Sequence, residues 1–555
     1  MCHEFAALDL QHFPLMQVIK ARYRAAWLAG VVVMASVGAV TQGLCANSPD
    51  ADDPLLDLFI QKGFVTQQEA EKVKAEAEAK RTNELANASF PSSKWKISKD
   101  IKNVELFGDI RLRYEDRSAA DPAGNSIDLQ RFRYAVRLGL RGEVFDDFYY
   151  GVRLDTAANP RSSWLTLGSS TSGTPYQGPF GKSTAGLNIG QAYLGWRPWD
   201  WVDLTVGKMP NPLYTTPMVW DGDLNPEGAA ERFKYTVGEA DLFATFGQFL
   251  YQDLNPNSAS GGLGINGNLG QKTDNIFLFA WQGGMNYHIT TNTSAKIAAT
   301  LYNYIGLQRS SVNNFGVLSP YFGDPYIGEG AYYLNGGTSQ TTLAPGYSGF
   351  GSSSTFPGYG SAGFSLNQVG LNHLLVVEVP FEFNFKISKL DARVFGDGAY
   401  NLEGGQRAED AAAAYQAVSA LTPGAQTHVF PAQKSAVKAY QIGFDIGSRD
   451  SLGLVNGSTS GKNAWELKTY WQHIEQYALD PNLIDSDVFE GRENLEGVYA
   501  TLAYGFTDNF IGTVRYGHAS RINKLLGTGG SNQDIPQINP INDFDLFQVD
   551  LTFRF

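Results

Sequence analysis

Seven arginines share one parity early in the main block of the chain: Arg111, Arg113, Arg131, Arg133, Arg137, Arg141 and Arg153. A guanidinium keeps its charge and presents a planar fork of donors to carboxylates and phosphates. Such a row suggests a ladder of cations along one wall, though it fixes no preference for anions or cations. A second set is acidic: Asp221, Asp223 and Glu227. Other chemistry is sparse. Cys2 and Cys45 both lie at the N-terminal end, which excludes a disulfide framework or cysteine metal cluster in the rest of the chain. Beyond residue 46 the histidines are His288, His373, His428, His473 and His518, and no two have metal-ligand spacing. No GxSxG elbow occurs. Gly181-Lys182-Ser183-Thr184 resembles the end of a phosphate loop, but that motif needs glycine five positions before Gly181, where Tyr176 stands. The sequence therefore predicts no catalytic residue, no metal site and no cofactor.

The elements that must position the arginines have a period of two. From Arg131 to Arg141, Phe132, Tyr134, Val136, Leu138 and Leu140 fall on one face, and Arg131, Arg133, Arg137 and Arg141 on the other. Trp465, Leu467, Thr469 and Trp471 alternate with Glu466, Lys468, Tyr470 and Gln472, and similar patterns cover 295–302 and 498–506. A soluble sandwich also alternates. Three features favour a membrane barrel. The strands run to about ten residues, the length of a tilted bilayer-crossing strand. Aromatics cluster at strand ends, as in Phe148-Tyr149-Tyr150 and Trp196, Trp199 and Trp201. Tight turns alternate with long loops. The pattern predicts strands near 104–117, 129–145, 147–157, 187–198, 201–209, 230–236, 240–252, 274–289, 293–305, 365–384, 389–401, 434–448, 463–475, 495–506, 508–518 and 544–555. That makes sixteen. The connection 449–462 is longer than the other short turns, which leaves eighteen open.

The chain has 555 residues, 43 Lys+Arg against 56 Asp+Glu, a net charge of −13 and 13% aromatics. The acidic balance excludes a nucleic-acid binder, and the composition is too apolar for a disordered chain. Residues 1–46 have the layout of a signal peptide. Met16 is a candidate start, Lys20, Arg22 and Arg24 form the basic region, and Ala25–Val40 is the apolar run. Cleavage after Ala46 places Leu44 and Ala46 at the recognition positions. Gln42-Gly43-Leu44 fits a lipidated Cys45 poorly, and the apolar run is short for a retained anchor. Residues 47–103 form a helical segment and linker. Leu55, Leu56, Leu58, Phe59 and Ile60 give an apolar face, and Thr66-Gln67-Gln68-Glu69 matches a capping box. Its apolar stripe is too short for a coiled coil, so a periplasmic spacer is expected. The expected fold is all-β: a transmembrane antiparallel barrel over 104–555, preceded by this short helical segment.

The last strand alternates to the final residue through Phe547, Val549, Leu551, Phe553 and Phe555. A terminal strand ending in Phe resembles the assembly signal of bacterial outer-membrane barrels. Leu55–Ala70 (LLDLFIQKGFVTQQEA), Phe107–Glu115 (FGDIRLRYE), Gly207–Tyr214 (GKMPNPLY), Trp220–Ala230 (WDGDLNPEGAA) and the terminal LTFRF together resemble a porin family of Gram-negative outer membranes. The resemblance implies a water-filled channel for passive diffusion of small hydrophilic solutes and ions. It implies outer-membrane lipid and the barrel-assembly machinery as partners, and a homotrimer by likeness to other porins. It transfers no catalytic residue and fixes no solute.

A barrel of this size leaves a lumen. The seven arginines are expected to line its wall, and the resemblance to general porins, whose third loop folds into the lumen, implies that the third long loop, 210–230, folds inward with Asp221, Asp223 and Glu227 opposite them. The competing expectation is that the arginines pair with nearby acids such as Asp109, Glu143 and Asp155. Other functions weighed are a substrate-specific channel of eighteen strands, an outer-membrane barrel enzyme, for which no constellation speaks, and a soluble surface adhesin.

Overall fold

The computed structural model describes residues 101–555 except 123, 125, 146, 158–161, 169–185, 253–275, 306–372, 410–411, 413–431, 525, 529–533 and 536–540. The signal-like stretch, the helical stretch 54–86, Gly181–Thr184, His428 and the loop 306–364 lie outside the described residues.

Alternation becomes strand throughout. In chain order the strands are β1 (Glu105–Ala120), β2 (Ser126–Glu143), β3 (Phe148–Thr156), β4 (Leu165–Thr166), β5 (Leu187–Trp199), β6 (Val202–Lys208), β7 (Glu227–Val237), β8 (Ala240–Gln252) and β9 (Ile276–Thr290). They continue with β10 (Thr293–Ile305), β11 (Leu375–Ile387), β12 (Leu390–Asn401), β13 (Lys438–Gly447), β14 (Trp465–Ile474), β15 (Leu495–Gly505), β16 (Phe510–Arg521) and β17 (Asp543–Arg554). Wall neighbours pair antiparallel. The two-residue β4 pairs with β2 beyond the end of β3, so β3 and β4 together make one stave and the wall has sixteen. β17 pairs with β1 from Asp109↔Arg554 to Ala120↔Asp543, which closes the sheet and removes both edges. The eighteen-strand alternative fails at 448–464. That segment contains no strand, and β13 pairs directly with β14.

Closure sorts the side chains. Leu106, Ile110, Leu112, Phe132, Leu138, Leu140, Leu194, Val206, Ile442, Val498 and Leu502 are exposed on the outer face, while Asp109, Arg113, Glu115 and Arg133 are buried on the inner one. In water so wide an apolar surface would drive association; in a bilayer it meets hydrocarbon. On β1 the outward apolar series runs from Leu106 to Tyr114 and then changes to Asp116 and Ser118. On β2 it runs from Leu140 to Phe132 and then changes to Gln130 and Asp128. Each series matches the about nine residues a tilted strand needs to cross the hydrocarbon. Rings mark the end with the short connections: Trp199 stacks on Trp201 at 5.5 Å, and Phe148 on Trp196 at 5.6 Å. Such rings suit the interface between lipid and water.

Glycines let rings lie flat against the inner wall. A Cβ on Gly195 would sit 1.9 Å from the Tyr149 ring, and one on Gly151 would sit 2.4 Å from the Tyr193 ring. Each tyrosine covers the glycine of the neighbouring strand.

Candidate functional site

All seven arginines lie on the inner face of β1–β3, and every one is ion-paired. Asp109 accepts from Arg111 Nε at 2.9 Å and Arg137 Nη2 at 2.6 Å. Arg113 forks onto Asp550 at 2.7 and 2.9 Å, reaches Asp487 at 2.8 Å, and lies 4.1 Å over the Trp164 ring. Arg131 contacts Glu115 and reaches Asp534 at 2.7 Å, and Arg133 reaches Glu115 at 3.4 Å. Arg141 pairs with Glu105 at 2.7 Å, and Arg153 with Asp155 at 2.7 Å. Asp109 and Asp155 are thus partners, as the competing expectation had it. Glu143 enters through its backbone, which bonds Lys102 and the Asn103 side chain. Inward position and pairing hold together, so charges of both signs face the interior.

The segment 209–226, between β6 and β7, turns into the barrel. Met209, Leu213, Met218, Val219 and Trp220 are buried in one cluster with the inner residues Phe249, Ile276, Leu278, Ala280, Tyr302, Val376, Ala399 and Ala439. The three alanines leave room for a loop against the wall. Polar anchors fix its register. Thr215 Oγ1 donates to Glu378 Oε1 at 2.5 Å, Tyr302 OH donates to Glu378 Oε2 at 2.6 Å, and Thr216 donates to Asp397. Gln282 accepts from the Tyr214 backbone N–H at 2.9 Å and donates to its carbonyl at 2.8 Å.

A second segment, 475–494, comes in from the β14 end to meet it. Leu479, Leu483 and Ile484 join the same cluster, and Tyr251 and Tyr304 donate to Asp480 at 2.9 and 2.8 Å. Two backbone bonds join the segments: Asp221 N–H to the Leu483 carbonyl at 2.6 Å, and Asp485 N–H to the Pro217 carbonyl at 3.1 Å. Each segment carries a D-x-D turn closed by its first aspartate. Asp221 Oδ1 accepts from Asp223 N–H at 2.8 Å, and Asp485 Oδ1 from Asp487 N–H at 2.8 Å. The second aspartates reach the arginine wall, Asp223 to Arg137 at 3.3 Å and Asp487 to Arg113 at 2.8 Å. The two segments form a crossbar from β8–β12 to β1 and β2.

The crossbar carboxylates diverge electrostatically. Burial, with Asp487 and Asp223 close by, pushes the Asp485 carboxyl up to about 7. Burial and the nearness of Asp485 and Asp223 also raise Asp221 well above the usual range. Asp487 is only partly buried, and Arg113, Arg117 and Arg515 outweigh the cost of that burial and hold it below the usual range.

Of the acids expected on the inward loop, Asp221 and Asp223 are there and Glu227 is not. Glu227 is the first residue of β7, where it pairs with Lys208 at 2.5 Å. Its cross-strand partner Lys208 shares the parity of the outward-facing Val206. The expected strand start at 230 falls three residues late. Sequence reasoning also missed Arg117, fully buried on β1 with Glu115 at 3.4 Å and Asp534 at 3.3 Å, and the whole of 475–494. A signal for the crossbar was present. Ile276-Phe277-Leu278-Phe279-Ala280-Trp281 and Leu374-Leu375-Val376-Val377 are continuously apolar. A wall strand needs apolar residues on both faces only where something packs against it from inside.

Among the described residues, no group of three or more His, Cys, Asp or Glu could hold a metal ion. No helix among them is long and apolar enough to cross a membrane. His473 and His518 share parity with the outward residues Trp471 and Tyr516 and are paired there, with Glu496 at 2.8 Å and Asp545 at 2.9 Å.

A closed barrel, apolar outside and charged within, defines the class: a β-barrel that crosses a membrane with its strands. A family model described as "Putative porin" matches residues 118–555, and the chain belongs to that family. The family and the fold are those of bacterial outer-membrane channels. Solved structures with some likeness include OpdQ of Pseudomonas aeruginosa, at 12% identity over 82% of this chain and 99% of that one, TM-score 0.35. OmpT, an outer membrane protein of Vibrio cholerae, matches at 9% identity over 82% and 100%, TM-score 0.34. A mutant of Rh. blastica porin also matches at 9% identity over 82% and 100%, TM-score 0.34. Scores this low carry no argument. No curated protein matches the sequence.

Proposed function

We propose that the protein is a passive channel of a Gram-negative outer membrane that passes small hydrophilic solutes and ions down their gradients. The observation that supports this best is the sorting of side chains: hydrocarbon-facing residues outside, and ion pairs with a fixed crossbar inside. Selectivity in such a pore comes from the charges and constrictions along it. In this reading Arg111, Arg113, Arg131, Arg133, Arg137, Arg141 and Arg153 form one wall of the path. Asp221 and Asp223 belong to its constriction. Residues 1–46 direct export, 47–103 form a periplasmic spacer, and the barrel-assembly machinery reads the last strand, Phe547 to Phe555. Assembly into a homotrimer follows the habit of other porins. The protein acts as a channel and not as an enzyme.

A second reading, a substrate-specific channel, draws on the crossbar, which ties two loops to opposite walls and leaves less of the lumen open. Planar-bilayer recording of refolded protein in a KCl gradient tests both. Stepwise conductance with weak solute dependence supports the general channel, and block by one solute class favours the specific one. A folded, heat-modifiable barrel that gives no steps overturns the channel.

A further inference from the structure

At the end of the barrel where β1 begins and β17 ends, the connections are short. They are 144–147, 200–201, 238–239, 291–292, 388–389 and 506–509, two to four residues each. The exception is 448–464, seventeen residues between β13 and β14. A hairpin needs none of that length.

The segment is folded, not slack. Leu454 N–H bonds the Ser451 carbonyl at 3.0 Å, and Ser458 N–H the Gly453 carbonyl at 2.9 Å. Gly453 and Gly457 adopt φ of 103° and 79°, a region that favours glycine. It is also pinned inward. Both oxygens of Glu466, a fully buried inner residue of β14, accept backbone N–H groups: Gly453 at 2.9 Å and Val455 at 2.7 Å. Leu454 is buried against Ala503 and Ile511 on the inner faces of β15 and β16. Arg554, on β17, donates to the Gly457 carbonyl at 2.7 Å. In the other direction, Asp450 N–H bonds Asp391 on β12 at 2.6 Å, and Leu452 lines a cavity of about 230 Å³ with the β9–β10 turn. One short segment thus reaches from the β9–β10 turn to β17 along the inside of the mouth.

The geometry points to 448–464 as a second constriction in series with the crossbar, with Glu466 and Arg554 as its positioning residues. The inference rests on the channel reading. It assigns the segment a role in size exclusion at the end opposite the long loops. A solute that clears the crossbar must still pass the edge formed by Gly457, Ser458 and Ser460.

Four forms of the full chain test this by single-channel conductance and by liposome swelling with sugars of increasing size, heat-modifiability serving as the control for folding. Deleting 450–462 leaves a four-residue connection like that between β2 and β3, and conductance is expected to rise about twofold with a larger size limit. Glu466→Ala should shift both in the same direction, and Glu466→Gln, which keeps an acceptor oxygen, by less. Ser460→Cys, at an exposed position, leaves the pins intact. With Cys2 and Cys45 replaced by Ser, its reaction with a bulky thiol reagent should lower conductance. Wild-type conductance and size limit in the folded deletion variant, or an unaltered current after modification of Ser460→Cys, overturns the second constriction and leaves the channel standing. Silence of every folded form overturns the channel itself, and the constriction with it.

Discussion

Asp485 and Asp487 stand two residues apart in one partly buried turn, yet their carboxyls are driven in opposite directions. Charge placement accounts for the difference: Arg113, Arg117 and Arg515 surround Asp487, while Asp221, Asp223 and Asp487 crowd Asp485. The pH consequence follows from linkage. An unfolded aspartate titrates near about 4, and Asp485 in place titrates at about 7. Between those values the folded turn holds a proton that the free chain does not. The associated stabilisation is complete below the lower value and is lost as pH rises through the upper one. Amide exchange in 209–226 and 475–494 should therefore accelerate from about pH 6 to about pH 8 by more than the intrinsic chemistry of exchange, and Asp485→Asn should reduce the excess to the part that Asp221 carries. An undiminished excess in the variant sinks this account. Gly195 gives a steric prediction. With the Tyr149 ring 1.9 Å from the site of a Cβ, Gly195→Ala should destabilise the barrel by about 1–3 kcal/mol in urea unfolding. An unchanged midpoint would show that the ring moves aside freely. At this scale the sequence was half legible. Parity alone put seven arginines on one face, but their partners Asp487, Asp534 and Asp550 lie hundreds of residues away along the chain, where no local spacing reveals them.

The strands were legible because a membrane wall imposes period two on nearly every residue that builds it. Expected and observed bounds agree at 240–252 and 293–305 without a shift. β11 is matched only over its described part. It was expected from 365; residues 365–372 lie outside the described residues, and the described strand begins at Leu375, just after His373, whose φ of 57° is not a strand conformation. The inward loops were legible only in part. The inward turn of 210–230 was expected only by likeness to general porins, and 475–494 is polar enough to pass for surface. What holds these loops is a carboxylate on the far wall. Glu378 is completely buried and takes hydroxyl bonds from Thr215 and Tyr302. Replacing it by Ala strands both donors, at a cost of about 1–3 kcal/mol for each group left unsatisfied. That cost falls on the loop rather than the wall, whose ladders are untouched. Glu378→Ala should therefore stay heat-modifiable yet become open to protease within 209–226, with cleavage after Leu213 or Tyr214 as the marker. Equal resistance in variant and wild type would mean that the apolar cluster alone anchors the loop.

For the whole molecule, one pairing turns a sheet into a barrel. β17 binds β16 on one side and β1 on the other, and the last residue takes part: Phe555 N–H bonds the Gly108 carbonyl at 3.1 Å and Gly108 N–H the Phe555 carbonyl at 3.0 Å. The Phe555 ring lies over Gly108, where a Cβ would come within 2.9 Å of it. Two effects are mixed here. Closure needs the backbone of β17, since an unpaired edge in hydrocarbon leaves a row of unsatisfied groups at several kcal/mol each. Recognition by an assembly machine would need the side chains of the final alternation. Truncation after Asn542 removes both, while Phe555→Ala keeps every backbone bond and removes only the ring. The truncated chain should fail to reach a heat-modifiable state even in detergent, with no cellular factor present. Phe555→Ala should refold in detergent almost as wild type does, yet accumulate poorly in the membrane of cells. A truncated chain that refolds would show that fifteen staves can close without the last. A Phe555→Ala chain that inserts normally in cells would leave the terminal Phe as a lid over Gly108 with no part in recognition.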